Sequence, residues 1–193
     1  MKKFILLGLV LISFLSTAQE AEKVSVEKNL NSVQLGLFSL SYQNEIRLDR
    51  KFTLRSEAGL STGKSTMKYP DGHSESSFLI VPYINIEPRW YYSLDRRNRL
   101  EKNNTNNSSN YFSLLTTYVF TQATLVNSKN YNANPLIQII PEYGFRRSFR
   151  KNFFWDASVG VGYRHNFSDK LYQSTVDENE TVIDIQYKLG YIF

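Results

Sequence analysis

Thr181-Val182-Ile183-Asp184-Ile185-Gln186-Tyr187-Lys188-Leu189-Gly190-Tyr191-Ile192-Phe193 is the stretch whose reading decides the fold. Its odd positions are Ile183, Ile185, Tyr187, Leu189, Tyr191 and Phe193. Its even positions carry an acid, an amide and a base at Asp184, Gln186 and Lys188. Side chains alternate between two faces in this way only in a β-strand. One face is apolar and ends in aromatics, so the stretch reads as the closing strand of a β-barrel.

The same rhythm recurs toward the N-terminus. Phe153, Trp155, Val159, Val161 and Tyr163 alternate with Asp156, Ser158, Gly160, Gly162 and Arg164. Ile137, Ile139, Tyr143 and Phe145 stand against Gln138, Glu142 and Arg146. Phe112, Leu114, Tyr118 and Phe120 form one face of a strand within 111–121. Residues 78–92 set Ile84, Ile86, Trp90 and Tyr92 against Asn85, Glu87 and Arg89; residues 52–60 set Phe52 and Leu54 against Arg55 and Glu57. Residues 38–48 oppose Glu45 and Arg47 to Ile46 and Leu48. An antiparallel bacterial barrel of this kind has an even number of strands, so 31–37 is expected as a short first strand that breaks near Leu37-Phe38. The expectation is an all-β, eight-stranded antiparallel transmembrane barrel over 31–193. Turns at 49–51 and 147–152 are short, loops at 62–77, 122–134 and 166–180 are long, and 93–110 is a long connector on the short-turn side. Pro82, Pro88 and Pro141 each remove a ladder donor, and bulges are expected there.

Charge decides which face meets which medium. The polar rows hold Glu45, Glu57, Glu87, Glu142, Asp156 and Asp184 with Arg47, Arg55, Arg89, Arg146, Arg164 and Lys188. A cation on a lipid-facing surface near the midplane costs roughly 2–4 kcal/mol. These rows therefore face the lumen, and the apolar rows face hydrocarbon. An eight-stranded barrel is just wide enough for side chains to fill it, so the charges must pair into a lumen network. Gly160 and Gly162 are expected to leave room for Arg side chains. Trp90, Tyr92, Phe153, Trp155, Tyr191 and Phe193 gather at one rim, as an interfacial girdle does.

Lys2 and Lys3, the apolar run Phe4–Leu15 and the small residues Ser16-Thr17-Ala18 read as a signal peptide over 1–18. Without it the net charge falls from +5 to +3, too mild to argue for nucleic acid. Residues 19–30 read as a flexible N-terminal leader. The absence of cysteine excludes disulfides and a thiol nucleophile. No phosphate-binding loop or nucleophile elbow is present; a metal site needs clustered ligands, and the only two histidines, His73 and His165, fall one in a loop and one at a strand end. No cofactor is expected.

The strand rhythm, the signal peptide and Tyr191-Ile192-Phe193 resemble small OmpA/OmpX-type outer-membrane barrels. Glu87-Pro88-Arg89-Trp90-Tyr91-Tyr92 and Leu54-Arg55-Ser56-Glu57-Ala58-Gly59-Leu60 resemble an uncharacterised outer-membrane barrel family of Bacteroidota. The resemblance implies a Gram-negative outer-membrane location, contact with lipid and lipopolysaccharide, and insertion by the barrel assembly machinery. Tyr191 and Phe193 would belong to the assembly signal. A monomer with a structural or loop-mediated interaction role is expected, and no enzyme. Three alternatives stand beside it: a small-solute, porin-like pore; an outer-leaflet lipid A hydrolase using His165, Ser168 and Glu178 or Glu180; and a soluble periplasmic lipocalin-like carrier. Arg96, Arg97, Arg99 and Lys102 read as a solvated connector, and Asn103–Asn110 as a flexible linker.

Overall fold

The computed structural model describes residues 24–68, 73–127, 135–167 and 178–193. The expected signal peptide 1–18, the first part of the leader, Ser168 and the loop stretches 128–134 and 168–177 lie outside the described residues. The elements are β1 (Asn29–Gly36), β2 (Ser39–Asp49), β3 (Phe52–Lys68), β4 (Ser74–Trp90), α1 (Leu94–Arg99), β5 (Asn110–Val119), β6 (Val126–Asn127), β7 (Leu136–Phe149), β8 (Phe153–Asn166) and β9 (Asn179–Ile192).

Each long strand pairs antiparallel with its sequence neighbours, and β1 pairs with β9, so eight long strands close on themselves. The two residues of β6 extend the wall beside β4. The turn at Leu37-Phe38 separates β1 from β2, as the change of phase there required. Closure matters because it leaves few backbone groups at an open edge.

Alternation sets the two surfaces. Ile84, Val159 and Ile183 are 42%, 47% and 73% exposed and point outward, while Glu45, Arg89 and Arg146 are buried in the lumen. At the end formed by the β2–β3 and β7–β8 turns (the near end) the outer wall is ringed with aromatics. Phe52 stacks on Trp90 at 6.0 Å, Phe112 lies 5.4 Å from Tyr143, and Phe153 meets Tyr191 at 5.1 Å.

Four expectations are corrected. The long loop 62–77 is largely strand: the β3–β4 ladder runs on from Thr62↔Ile80 to Lys68↔Ser74. Backbone pairing needs no apolar face, so a Ser/Thr-rich hairpin continues where hydrophobic alternation stops. Pro82, Pro88 and Pro141 cause no bulge. The β4–β5 and β7–β8 ladders skip two pairs each, at Glu87-Pro88 and Ile140-Pro141, and resume in the same register, and the only shift among the described residues, between Arg47 and Asp49, lies elsewhere. Gly160 and Gly162 make room not for Arg but for Ile140, the Glu142 stem and the β7 backbone. Finally, the leader is bound from Val24 on. Val26 is fully buried against Tyr91, Leu94 and Tyr111, and its N–H donates to the Arg50 carbonyl at 3.0 Å.

The glycines that do serve the arginines are Gly144 and Gly190. A Cβ at Gly144 would run into the Tyr111 ring, and one at Gly190 into the Phe154 ring. Those rings lie flat under two guanidinium groups, Arg89 at 4.0 Å from the Tyr111 centroid and Arg146 at 4.5 Å from that of Phe154. Overpacking a filled interior costs about 1–3 kcal/mol. Gly144→Ala is therefore expected to lower the unfolding free energy by that amount, read as a fall in the urea midpoint, whereas Gly63→Ala, where an added Cβ meets nothing, should leave the midpoint unchanged.

Candidate functional site

The lumen is filled at its near half by a continuous chain of alternating charges. Glu45 on β2 accepts from Arg146 on β7 at 2.6 Å. Arg146 donates to Asp156 on β8 at 2.8 Å, and Arg89 on β4 donates to the same carboxylate at 2.7 Å. Arg89 also donates to Glu87 at 2.8 Å, which accepts from Arg55 on β3 at 2.7 Å. Arg55 pairs with Glu57, and Glu57 accepts from Lys188 on β9 at 2.8 Å. Four acids thus alternate with four bases, all nearly solvent-free.

Two glutamines turn the chain into a ring. Arg55 donates to Gln34 on β1 at 3.2 Å, Gln34 bonds Gln43, and Gln43 donates to Glu45 at 3.2 Å. Tyr111 on β5 donates to Asp156 at 2.5 Å. Every long strand thus sends at least one side chain into this network. Leftover carboxylate oxygens are met by hydroxyls and an amide: Thr53, Tyr91 and Asn107 donate to Glu45 at 2.8, 2.8 and 2.9 Å, and Tyr83 donates to Glu57 at 2.6 Å. That saturation is what a buried ionic cluster needs, because an unmet charge keeps its desolvation penalty.

Eight of the twelve residues assigned to the lumen network form this chain. Arg164 lies toward the far end and pairs with Glu180 at 2.8 Å. Asp184 accepts from Gln186 at 2.7 Å, and Glu142 is buried beside them. Arg47 is half-exposed, and its Nε has no hydrogen-bond partner. Tyr191 and Phe193 point outward, 45% and 66% exposed. Gln34, Gln43, Tyr83, Tyr91, Tyr111 and Asn107 were missed as network members. Nor is the packing all ionic: Leu115, Ile140 and Val182 form an apolar cluster inside the wall.

The connector 93–109 caps the near end rather than lying free. Asn107, Ser108 and Ser109 are buried. Asn103 donates to the Ser148 carbonyl at 3.1 Å, Asn106 to that of Lys151 at 3.1 Å, and the Arg146 N–H to the Ser109 carbonyl at 2.8 Å. Asn106 and Asn107 take positive φ of 56° and 60°, a conformation asparagine tolerates. The first turn of α1 is clasped to the β2–β3 turn, with Asp95 2.6 Å from Arg50 and 2.5 Å from Lys51. Arg96, Arg99 and Lys102 are exposed.

Of the hydrolase set, Ser168 lies outside the described residues. The Nδ1 of His165 shares a hydrogen bond with Asn179 at 2.8 Å, its ring stands edge-on to Phe167, and Glu180 is held by Arg164. Beyond the charge chain the far half of the lumen is a cup of about 620 Å³, bordered by Tyr83, Asn85, Thr117, Gln138, Gln186 and Lys188. No protein-family model, curated protein or solved structure matches the chain.

Removing one partner of a buried ion pair costs about 3–5 kcal/mol. Arg146→Met should lower unfolding free energy by that much, read as a fall in the urea midpoint, and Glu45→Gln in the same chain should recover part of it. The clasp has its own signature. Hydrogen bonds from Arg50 above all, then Lys51, hold Asp95 at about 2, below its ordinary 3.8. A depressed acid stabilises the fold above its unfolded pKa and loses that contribution as pH falls through the folded one. The stability gap between wild type and Asp95→Asn should be constant above about pH 5, shrink below it, and close as pH falls through about 2.

Proposed function

We propose that this chain is a bacterial outer-membrane β-barrel with a lumen sealed by its charge network, acting as a structural or binding element through the far-end hairpins. The observation that carries the reading is the inversion of the two surfaces. Among the described residues, thirty-three large hydrophobic side chains are exposed and thirteen hydrophobic ones are buried. Contiguous apolar surface on that scale marks a membrane or partner face. The near-end aromatic girdle supports the same reading, since amphipathic rings gather where hydrocarbon meets headgroups.

A soluble lipocalin-like carrier would turn the apolar row inward, and a pore would need a water path along the axis. The charge ring and the capping connector argue for a closed channel. Insertion by the assembly machinery, with Tyr191 and Phe193 in the recognition signal, and the monomeric state belong to the same proposal. The chain is expected in the membrane fraction of a Gram-negative host, as a band whose gel mobility shifts on boiling. In planar bilayers it should give no steady single-channel current. Recovery in the soluble fraction would overturn the membrane assignment; a steady current would overturn the sealed lumen.

A further inference from the structure

Among the described residues, the cup is bordered from both faces of β9. Side chains on β9 alternate, so Asp184, Gln186 and Lys188 face the lumen while Ile185 and Tyr187 face outward. All five nevertheless border the same cavity. A cavity that touches both faces of one strand must pass around that strand's edge.

The pairing identifies the edge. β1 meets β9 over only five residue pairs, from Ser32↔Ile192 to Gly36↔Lys188. Farther along, Asn179–Tyr187 pair with β8 alone. On the other side β2 starts at Ser39, and β3 beyond Ser61 pairs with β4 alone, apart from the Thr62 N–H donated to the Phe38 carbonyl. Among the described residues, the short β1–β2 hairpin therefore leaves a slot between β9 and β3, about three interstrand spacings or ~14 Å across. The four most exposed large hydrophobic side chains among the described residues flank it: Ile185 (75%), Leu37 (74%), Ile183 (73%) and Phe38 (70%).

Behind this apolar mouth lies acid without a cation. Asp184 accepts from Gln186 and lies against the buried Glu142 carboxyl, with no cation on either among the described residues, whereas the cations of the cup, Arg164 and Lys188, are already paired with Glu180 and Glu57. A volume of about 620 Å³ lies in the range of small-molecule sites.

We propose that the cup binds a single-chain amphiphile with an amine head, entering sideways from the bilayer. The chain lies along Leu37, Phe38 and Ile185, and the ammonium donates to Asp184. The proposal rests on the membrane reading, because the slot has an apolar entrance only if the wall stands in lipid.

The test is native mass spectrometry of the full chain in octyl glucoside, with dodecylamine, dodecanol and dodecanoate as probes. Boiling-dependent gel mobility verifies each variant's barrel. Wild type should retain one dodecylamine, at least tenfold more than either other probe. Gly63→Trp fills the open space beside the slot and should abolish retention. Asp184→Asn should lower dodecylamine retention to the level of dodecanol. Equal retention of all three probes, preference for dodecanoate, or unchanged retention in Gly63→Trp would overturn the proposal. A chain that fractionates with membranes yet retains no dodecylamine defeats the amphiphile site alone; a chain found in the soluble fraction defeats the membrane reading beneath it.

Discussion

Charge placed inside a narrow tube has nowhere to go except into another charge. That constraint organises the molecule. Each ion in the chain from Glu45 to Lys188 touches an opposite neighbour, and the remaining carboxylate oxygens are closed by hydroxyls and amides. Replacing both members of such a pair by apolar groups of similar shape can be neutral, whereas losing one is not. The network is therefore better understood as fixing register than as adding stability. A one-residue slip of any strand would carry its inward row to the outer face, stranding half of a pair in the wall.

The two halves of the lumen differ for the same reason. Toward the near end the strands are fully paired around the circumference, and the connector adds Asn107 and Leu94, the latter packed with Val26 of the leader, Tyr91 and Tyr111 into a floor. Toward the far end β1 and β2 stop early while β3, β4 and β9 continue. The packing there thins to a cup with an apolar cluster on one side, and one barrel thereby holds a rigid ionic plug and an accommodating cavity.

Much of this was legible in residue parity. The opposite faces of β3, β4, β7, β8 and β9 follow directly from alternation, and so does the lumen position of Glu57, Glu87, Arg89, Arg146 and Asp156. Parity also held Tyr91 and Gln34, but an uncharged side chain on a polar row carries no imbalance to flag it. Tyr111 was harder still, because an aromatic next to Phe112 suggests the outer wall. The long β3–β4 hairpin was hidden because Thr62, Ser65, Thr66, Ser74 and Ser76 have loop composition, and strand pairing there comes from the backbone alone. The connector was misread for a related reason: an Asn/Ser tract resembles a linker until its amides find specific carbonyls across the barrel mouth. Leu115 and Ile140 could not be assigned at all, since each adjoins an outward apolar residue and breaks the alternation.

The five-pair join between β1 and β9 makes the barrel's closure a team effort. Thirteen pairs hold β9 to β8 and seventeen hold β3 to β4, so the join is the weakest line in the cylinder. Lys188, reaching past β1 to Glu57, and Gln34, bonded to both Arg55 and Gln43, act as rivets behind it. The two ends of a ribbon held mainly by its stuffing should part together with that stuffing, in a single concerted opening rather than by peeling strand from strand.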